Sequence, residues 1–452
     1  MEVLTLKFHL TVFISKIAMI LAKLLFNGGT NFPGKIALKL HNNILKKLAQ
    51  NYNVLVITGT NGKTTTTSMV YNIIKNYDTD VITNSTGANM LSGIVSCFIQ
   101  NYSIFNNKKN RYAVIEVDEA NLKFVTEYIS PSIIAITNLF RDQMDRYGEV
   151  YTTLEKLLEG IRKSPESTLI LNGDESLLGN LDVINKKIYF GFKCPIDNNK
   201  EITLNSDAKF CKICNHPYKY KYVTYNHLGN FYCSKCGYKR PTLNYSVSKI
   251  NGFTSHGSSI EIDNYPFTIN QSGTYNVYNS LCAYSITKYL NFPIETITYT
   301  LENLSSTFGR QEIVDINGKN LKIILVKNPA GFDEALKSVN LDSTNKSLAL
   351  LLNDNYADGT DVSWIWDVCF EDLNHKRIDD VLVSGIRLYD MGIRLKVAGL
   401  NEDSFNICDN YDKLLKSIQT NKNNNIYMLA TYTAMISFRK FLNSKGYIKK
   451  LW

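Results

Sequence analysis

The sequence of 452 residues contains no internal repeat, no low-complexity tract and no charge-free apolar run long enough to span a bilayer. A fibre, a disordered scaffold and a membrane bundle are thereby excluded. The nearest thing to a spanning segment is Phe8 to Phe26, FHLTVFISKIAMILAKLLF, and His9, Lys16 and Lys23 interrupt it at intervals of seven. Residues seven apart share one helix face, so the segment reads as an amphipathic helix with a broad apolar face opposite its cations. Two lysines near a bilayer centre are expensive, and no small-residue cleavage site precedes Asn27. The apolar face is expected to pack on the neighbouring domain, with contact to a lipid monolayer as the alternative.

Nor is there a disulfide framework. The cysteines number nine, an odd count in a chain too large to need staples, and four of them form two CxxC pairs, Cys211/Cys214 and Cys233/Cys236. That pattern belongs to a reducing compartment. The other five, Cys97, Cys194, Cys282, Cys369 and Cys408, are scattered and are expected to be buried apolar thiols. Hydrophobic residues at 44% and charged residues at 20% fit a globular chain of about three domains at roughly 150 residues each. The net charge of +9, spread thinly, suggests an anionic ligand or surface rather than a polycation.

From residue 54 onward β-rich apolar runs alternate with helical stretches. VLVIT (54–58), VIT (81–83), YAVIEV (112–117), SIIAIT (132–137) and TLILN (168–172) are each followed by a helical pattern. Such alternation predicts a parallel sheet with helices on both faces and a ligand beyond the carboxyl ends of its strands. Residues 208–240 break the pattern as an insertion rich in tyrosine, lysine and cysteine. Hairpin-like strands at 258–262 and 266–270 and helices at 277–290 and 294–304 follow. The runs 321–326, 347–352, 379–385 and 425–431, each expected to precede a helix, then predict a second, smaller α/β domain.

Gly59-Thr60-Asn61-Gly62-Lys63-Thr64-Thr65 lies where a strand ends and a helix begins, the place where backbone N–H groups and a helix N-terminus cradle polyphosphate. Lys63 is placed to reach the β and γ phosphates of ATP, and the Thr64 hydroxyl to ligate Mg²⁺. The loop is the short GxxGKT form. Glu116, which closes a strand, is the candidate second metal ligand; Asp118 and Glu119 either join it or cap the next helix.

These motifs, with EVDEAN, TNLFRDQMDRYG (137–148), LNGDE (171–175), YNVYNSLCA (275–283) and FGRQE (308–312), occur in the order seen in the Mur ligase family, which the chain resembles over residues 50–450. The resemblance implies a central ATPase domain followed by a Rossmann-like C-terminal domain. It also implies that Glu116 helps hold Mg²⁺, that Asn276 and Asn279 approach the adenine, and that Arg310 approaches the phosphates. Gln143 stands where peptide-adding members usually carry a metal-binding histidine, and Tyr275 replaces the histidine of HNxxN. The cysteine insertion and NDNYADGTDVSWIWD (353–367) resemble the family's amidating branch, whose members work on lipid II with a GatD-like glutaminase subunit.

CKIC and CSKC, with eighteen residues between Cys214 and Cys233, have the spacing of a zinc ribbon, in which four thiolates close a structural tetrahedron around Zn²⁺. Cys211, Cys214, Cys233 and Cys236 are the expected ligands; His216 and His227 are expected to be ordinary surface residues. Asp361 is placed to cap the turn at 362–364. The resemblance implies instead that an aspartate of the DGxD segment completes the Cys-His pair of the partner, with Asp361 preferred to Asp358.

The expected architecture is therefore α/β. It comprises an N-terminal helical region (1–49), a Mur ligase-like P-loop ATPase domain (50–315) with a four-cysteine zinc-ribbon insertion (205–244), and a smaller Rossmann-like domain (316–452). The expected activity is ATP-dependent amidation of the D-glutamate α-carboxylate of the lipid II stem peptide, with ammonia from a heterodimeric glutaminase partner. A cytoplasmic location, with peripheral contact at the inner membrane face, would suit it. A ligase adding an amino acid to a peptide or folate is one alternative. A nucleic-acid-binding ribbon protein is another, disfavoured by the complete ATPase constellation.

Overall fold

A computed structural model describes residues 2–449 apart from 27–30, 78–79, 85–87, 105–107, 109–110, 142–149, 198–199, 203–206, 305–309 and 374. Gln143 lies outside the described residues. Helices α1 (Glu2–Phe26), α2 (Phe32–Leu40) and α3 (Ile44–Ala49) precede the alternating core. This core runs β1 (Tyr52–Thr58), α4 (Lys63–Asn76), β2 (Val81–Thr83), α5 (Leu91–Asn101), β3 (Arg111–Glu116), α6 (Leu122–Val125), β4 (Ile133–Ile136), α7 (Val150–Arg162), β5 (Thr168–Asn172) and β6 (Lys187–Phe192). The chain continues through β7 (Lys219–Tyr225), β8 (Leu228–Tyr232), β9 (Tyr245–Phe253), β10 (Ser258–Ile262), β11 (Tyr265–Ile269), α8 (Thr274–Tyr289) and α9 (Ile294–Asn303).

Nine of these strands form one sheet in the order β11-β10-β9-β6-β5-β4-β1-β3-β2, parallel from β2 to β9 and antiparallel at the β9-β10-β11 edge. Its central strands are apolar throughout because both faces are covered: Val56, Ile115 and Ile134 point into one core, Ile57, Val114 and Ile133 into the other. Strand β1 lies between β3 and β4, so chain order reverses beside it and a crevice opens past its carboxyl end.

The second sheet has the order β12-β13-β17-β14-β15-β16, with β12 (Arg310–Ile316) antiparallel to β13 (Lys319–Leu325) and the rest parallel. Its other elements are α10 (Pro329–Asn340), β14 (Lys346–Leu351), β15 (Ile378–Ser384), α11 (Leu388–Val397), β16 (Phe405–Ile407), α12 (Tyr411–Gln419), β17 (Asn425–Ala430) and α13 (Tyr432–Ser444). Among the described residues no α-helix stands between β14 and β15, contrary to expectation. The segment after β14 is rich in Asn, Asp and Gly, including Gly359 at φ +90°, and such residues favour turns over helix. Three single 3₁₀ turns (Ser363–Asp367, Phe370–Asp372 and His375–Arg377) take its place.

The N-terminal helix also departs from expectation. It packs through Phe8, Thr11, Val12, Ser15, Ala18 and Ala22, mostly small residues that allow close approach, while Leu10, Phe13, Ile17 and Ile20 face outward. His9 and Lys16 lie beside the packed face, where Lys16 Nζ donates to the Tyr102 carbonyl at 2.6 Å and His9 Nδ1 meets the Tyr102 hydroxyl at 3.3 Å. The packed face thus carries the polar contacts to α5's end, and the broad apolar face is left outward. Of the five scattered cysteines, Cys97, Cys282 and Cys408 are buried, but Cys194 and Cys369 are only half-buried.

Candidate nucleotide site and cysteine cluster

The loop after β1 closes on the N-terminus of α4, and its glycines are sterically required. Gly59 and Gly62 have φ of +118° and +85°, and a Cβ on Gly62 would sit 2.0 Å from Asn279 Oδ1. Lys63 begins the helix, and its ammonium donates to the carbonyls of Gly59 at 2.5 Å and Thr60 at 3.3 Å and pairs with Glu119 at 3.3 Å. Thr60 N and Asn61 N donate to the Asn138 carbonyl and side chain at 2.9 and 2.8 Å. Thr64 and Thr65 occupy the first turn of α4, with Thr65 on the cleft wall.

Glu116 ends β3, in register with Ile57 of β1, and is buried; its Oε1 accepts from Asn89 Nδ2 at 3.2 Å. Arg310 Nη2 donates to Thr64 Oγ1 at 3.4 Å, and Glu116 attracts the same guanidinium. The two candidate magnesium ligands therefore flank one arginine. Burial lowers the Arg310 pKa, Glu116 opposing it, and its Nε is buried without a partner. A buried unpartnered cationic donor is what an anionic ligand would satisfy. Asp118 caps the following turn, accepting from Ala120 N and Asn121 Nδ2. Glu119 does not cap but holds Lys63.

An open cleft reaches the phosphate loop and Arg310, with Asn61, Gly62, Asn276, Asn279, Arg310 and Gln311 on its wall. Asn279 Nδ2 donates to Asn276 Oδ1 at 3.2 Å, and Asn276 Nδ2 donates to the Ser272 carbonyl at 2.8 Å, so the asparagine pair is braced from behind. Tyr275, in the place of histidine, accepts from Gln311 Nε2 at 2.5 Å. Gln311 sits at φ +61° and is tied to both backbone groups of Ser272. Sequence reasoning assigned no role to Asn138, Gln311 or Asn328, although the first two lie in motifs already quoted. Asn328 caps α10 and exchanges hydrogen bonds with Asn61 at 3.1 and 3.4 Å, bringing the second sheet's first helix onto the phosphate loop. Beside the cleft a second cavity is lined by Asp197, Glu201, Tyr225 and Asp333. Burial pushes the Asp333 carboxyl up to about 7.

The four cysteine sulfurs all lie within 4.8 Å of one another. Cys211 and Cys236 Sγ are 3.6 Å apart, and Cys214 and Cys233 are 3.5 Å apart. Sulfurs about 2.3 Å from a tetrahedral zinc would be about 3.8 Å apart, so the cluster fits that ion. The residue after each pair, Asn215 or Gly237, has φ of +56° or +75°, which turns both CxxC segments into knuckles. Backbone N–H groups of Cys236 and Lys235 hold the Cys233 thiol below its usual value, whereas burial and the neighbouring sulfurs push that of Cys236 up.

His216 and His227 are not part of this cluster, but His227 is no surface residue. It is fully buried, its Nε2 2.8 Å from Glu175 Oε2 and its Nδ1 3.1 Å from Asn226 Oδ1. Burial opposes its charge, but Glu175 outweighs burial and raises its pKa. The LNGDE motif is thus a clamp. Asp174 accepts from Arg240 Nη1 and the Tyr278 hydroxyl, both at 2.7 Å, and Glu175 holds His227, so the insertion is fastened to the sheet and α8.

In the loop after β14 the two aspartates differ. Asp358 is buried, and its Oδ1 and Oδ2 accept from Thr433 N at 2.7 Å and Thr433 Oγ1 at 2.5 Å. Asp361 is exposed and accepts from Ser363 N at 2.8 Å and Ser363 Oγ at 2.9 Å, bonds that hold its carboxyl below the usual range.

The loop, the crevice beside β1 and the second α/β sheet define the class, and a Mur ligase middle-domain model matches residues 57–234. A pseudomurein peptide ligase type C from Methanothermus fervidus shares the fold at TM-score 0.67 and 17% identity, over 91% of this chain and 84% of that one. A model of the MurT ligase C-terminal region matches residues 325–435. The "Lipid II isoglutaminyl synthase (glutamine-hydrolyzing) subunit MurT" of Streptococcus pneumoniae is 40% identical over 93% of this chain and 94% of its own length. Its Staphylococcus aureus counterpart is 34% identical over 85% and 86%. The chain belongs to the MurT family of Mur ligases.

Proposed function

We propose that the chain is the ATP-dependent ligase subunit of a lipid II isoglutaminyl synthase. The observation that carries this reading is the contact of Arg310, on the cleft wall, with Thr64 of the phosphate loop and its attraction to Glu116, in a chain 40% identical to a MurT subunit along nearly its whole length. An oxygen of the D-glutamate α-carboxylate attacks the γ-phosphorus of ATP, the bond to ADP breaks, and an acyl phosphate forms. Ammonia nitrogen then attacks the acyl carbon, phosphate leaves with the bonding pair, and a proton is lost to give the amide. Lys63 and Arg310 neutralise charge on the transferred phosphoryl group, and the N–H groups at the N-terminus of α4 orient it. Thr64 and Glu116 would hold Mg²⁺, which supplies Lewis-acid stabilisation of the phosphate oxygens.

Nitrogen arrives from a second subunit, a GatD-like glutaminase. Its docking surface on this chain is the exposed apolar row Ile386, Tyr389, Ile393 and Val397 on and beside α11. Arg387 bridges to Asp354 at 3.0 Å, which keeps this row next to the loop that presents Asp361. Asp361, outward and ionised, orients the partner's histidine; Asp358 is committed to Thr433. The four cysteines bind one structural Zn²⁺ that holds the ribbon against the LNGDE clamp. Catalysis takes place at the cytoplasmic face, where ATP and glutamine are available; among the described residues no helix is long and apolar enough to cross a membrane. Amidation of lipid II by the co-purified pair with glutamine, and by this chain alone with ammonium, tests the reading; amidation without ATP would overturn it.

A further inference from the structure

We propose that the outward face of α1 lies on an anionic lipid monolayer. Leu6, Leu10, Phe13, Ile17, Ile20 and Leu24 recur along the helix at alternating steps of four and three and are each between 43% and 76% exposed. Ile14 and Leu21, also exposed, widen the stripe, and at 3.6 residues per turn it subtends about 120°. A partner helix needs only a narrow seam. A stripe this broad, unbroken by a polar residue over more than four turns, matches a helix lying in the interface plane.

Charge decides what the face meets. Residues 1–49 contain seven lysines and one acid, Glu2, so six of the chain's nine net positive charges lie in this short region. Lys7, exposed, flanks the stripe on one side, where its alkyl stem can bury while the ammonium reaches headgroups; Lys16, on the other side, is held by the Tyr102 carbonyl. On α2, which packs on α1, Lys35 and Lys39 are exposed together with Phe32 and Leu40. Cationic flanks around an apolar stripe complement an anionic lipid surface. The inference deepens the reading of a lipid-linked substrate, since it would place the cleft at the layer in which such a substrate is anchored.

The test uses the full chain, without substrate or nucleotide, sedimented with vesicles of phosphatidylcholine alone or mixed with phosphatidylglycerol. Wild type should partition to the mixed vesicles and release as salt rises. The variant Leu10→Ser/Phe13→Ser/Ile17→Ser should lose partitioning by about tenfold or more. In Lys7→Gln/Lys35→Gln/Lys39→Gln it should fall by about fivefold per lysine. Both variants replace exposed side chains, and unchanged melting and ammonium-driven amidation of a lipid-free stem-peptide substrate would show them folded; if the first misfolds, the second decides alone. Failure of wild type to bind mixed vesicles, or equal binding by the variants, would overturn the proposal. So would a dimer, or a complex with the glutaminase, that the serine variant alone dissolves. Loss of amidation with retained vesicle binding would count against the ligase reading and leave this one standing.

Discussion

Changing Asp361 to asparagine separates two roles available to one carboxylate. Asp361 is exposed, and its hydrogen bonds run only to Ser363 N and Oγ among the contacts described. Asparagine keeps an oxygen for the Ser363 N–H, so the turn should lose about 0.5 kcal/mol or less. If the carboxylate orients the partner's histidine, the same change leaves that imidazole without its counter-charge and in the wrong tautomer. Glutamine hydrolysis by the reconstituted pair should then fall about 10⁴-fold, or about 5 kcal/mol of transition-state stabilisation. Ammonium-driven amidation should be unchanged, because acyl phosphate formation does not pass through the partner's site. Asp358→Asn is the control. It disturbs two buried bonds to Thr433 and should cost about 1–3 kcal/mol of stability, with no preference between nitrogen sources. Equal activity of Asp361→Asn with glutamine and ammonium would refute the shared-triad argument. Equal loss of both would move Asp361 to the ligase site, and a selective loss of glutamine use in Asp358→Asn would transfer the role to Asp358.

Lys63→Ala should lose amidation with either nitrogen source by about 10² to 10³, read as amide formed per unit time; near-normal ammonium-driven turnover would exclude Lys63 from phosphoryl transfer. Purified protein should carry one zinc per chain, and Cys211→Ser should lose both the metal and the ribbon's resistance to proteolysis; elemental analysis without zinc in chelator-free protein would disprove the ribbon. His227→Ala should cost about 3 kcal/mol by leaving Glu175 buried without its partner, measured by urea unfolding. Because the folded-state pKa of His227 is raised, the wild-type contribution should be full below its ordinary value of 6.5 and decline as pH climbs through the folded value, a decline absent in the variant.

The phosphate loop was legible because strand, glycines, lysine, hydroxyl and helix are local and ordered, and β5 and β10 coincide with their apolar runs. Strands β6, β9 and β12 escaped notice. KIYFGF is short and lies just past a polar turn, while β9 and β12 interleave lysine, glutamate or aspartate with their apolar residues as sheet-edge or half-exposed strands do. The Asn61–Asn328 contact joins residues far apart in sequence and has no local signature. His227 looked like a surface residue because its stabilising partner, Glu175, comes from another element. Periodicity gave the apolar face of α1 correctly but could not say what covers it. That depended on the small residues behind it and on the acceptors of Tyr102.

The central claim is transfer of phosphate from ATP to a peptide carboxylate before nitrogen arrives. It is tested most directly by supplying lipid II whose D-glutamate α-carboxylate carries heavy oxygen, with ATP and ammonium, and analysing the released inorganic phosphate by mass spectrometry. One labelled oxygen should appear in phosphate for each amide formed, and both should fall together by about 10² to 10³ with Lys63→Ala. Amide formation with unlabelled phosphate would contradict the account.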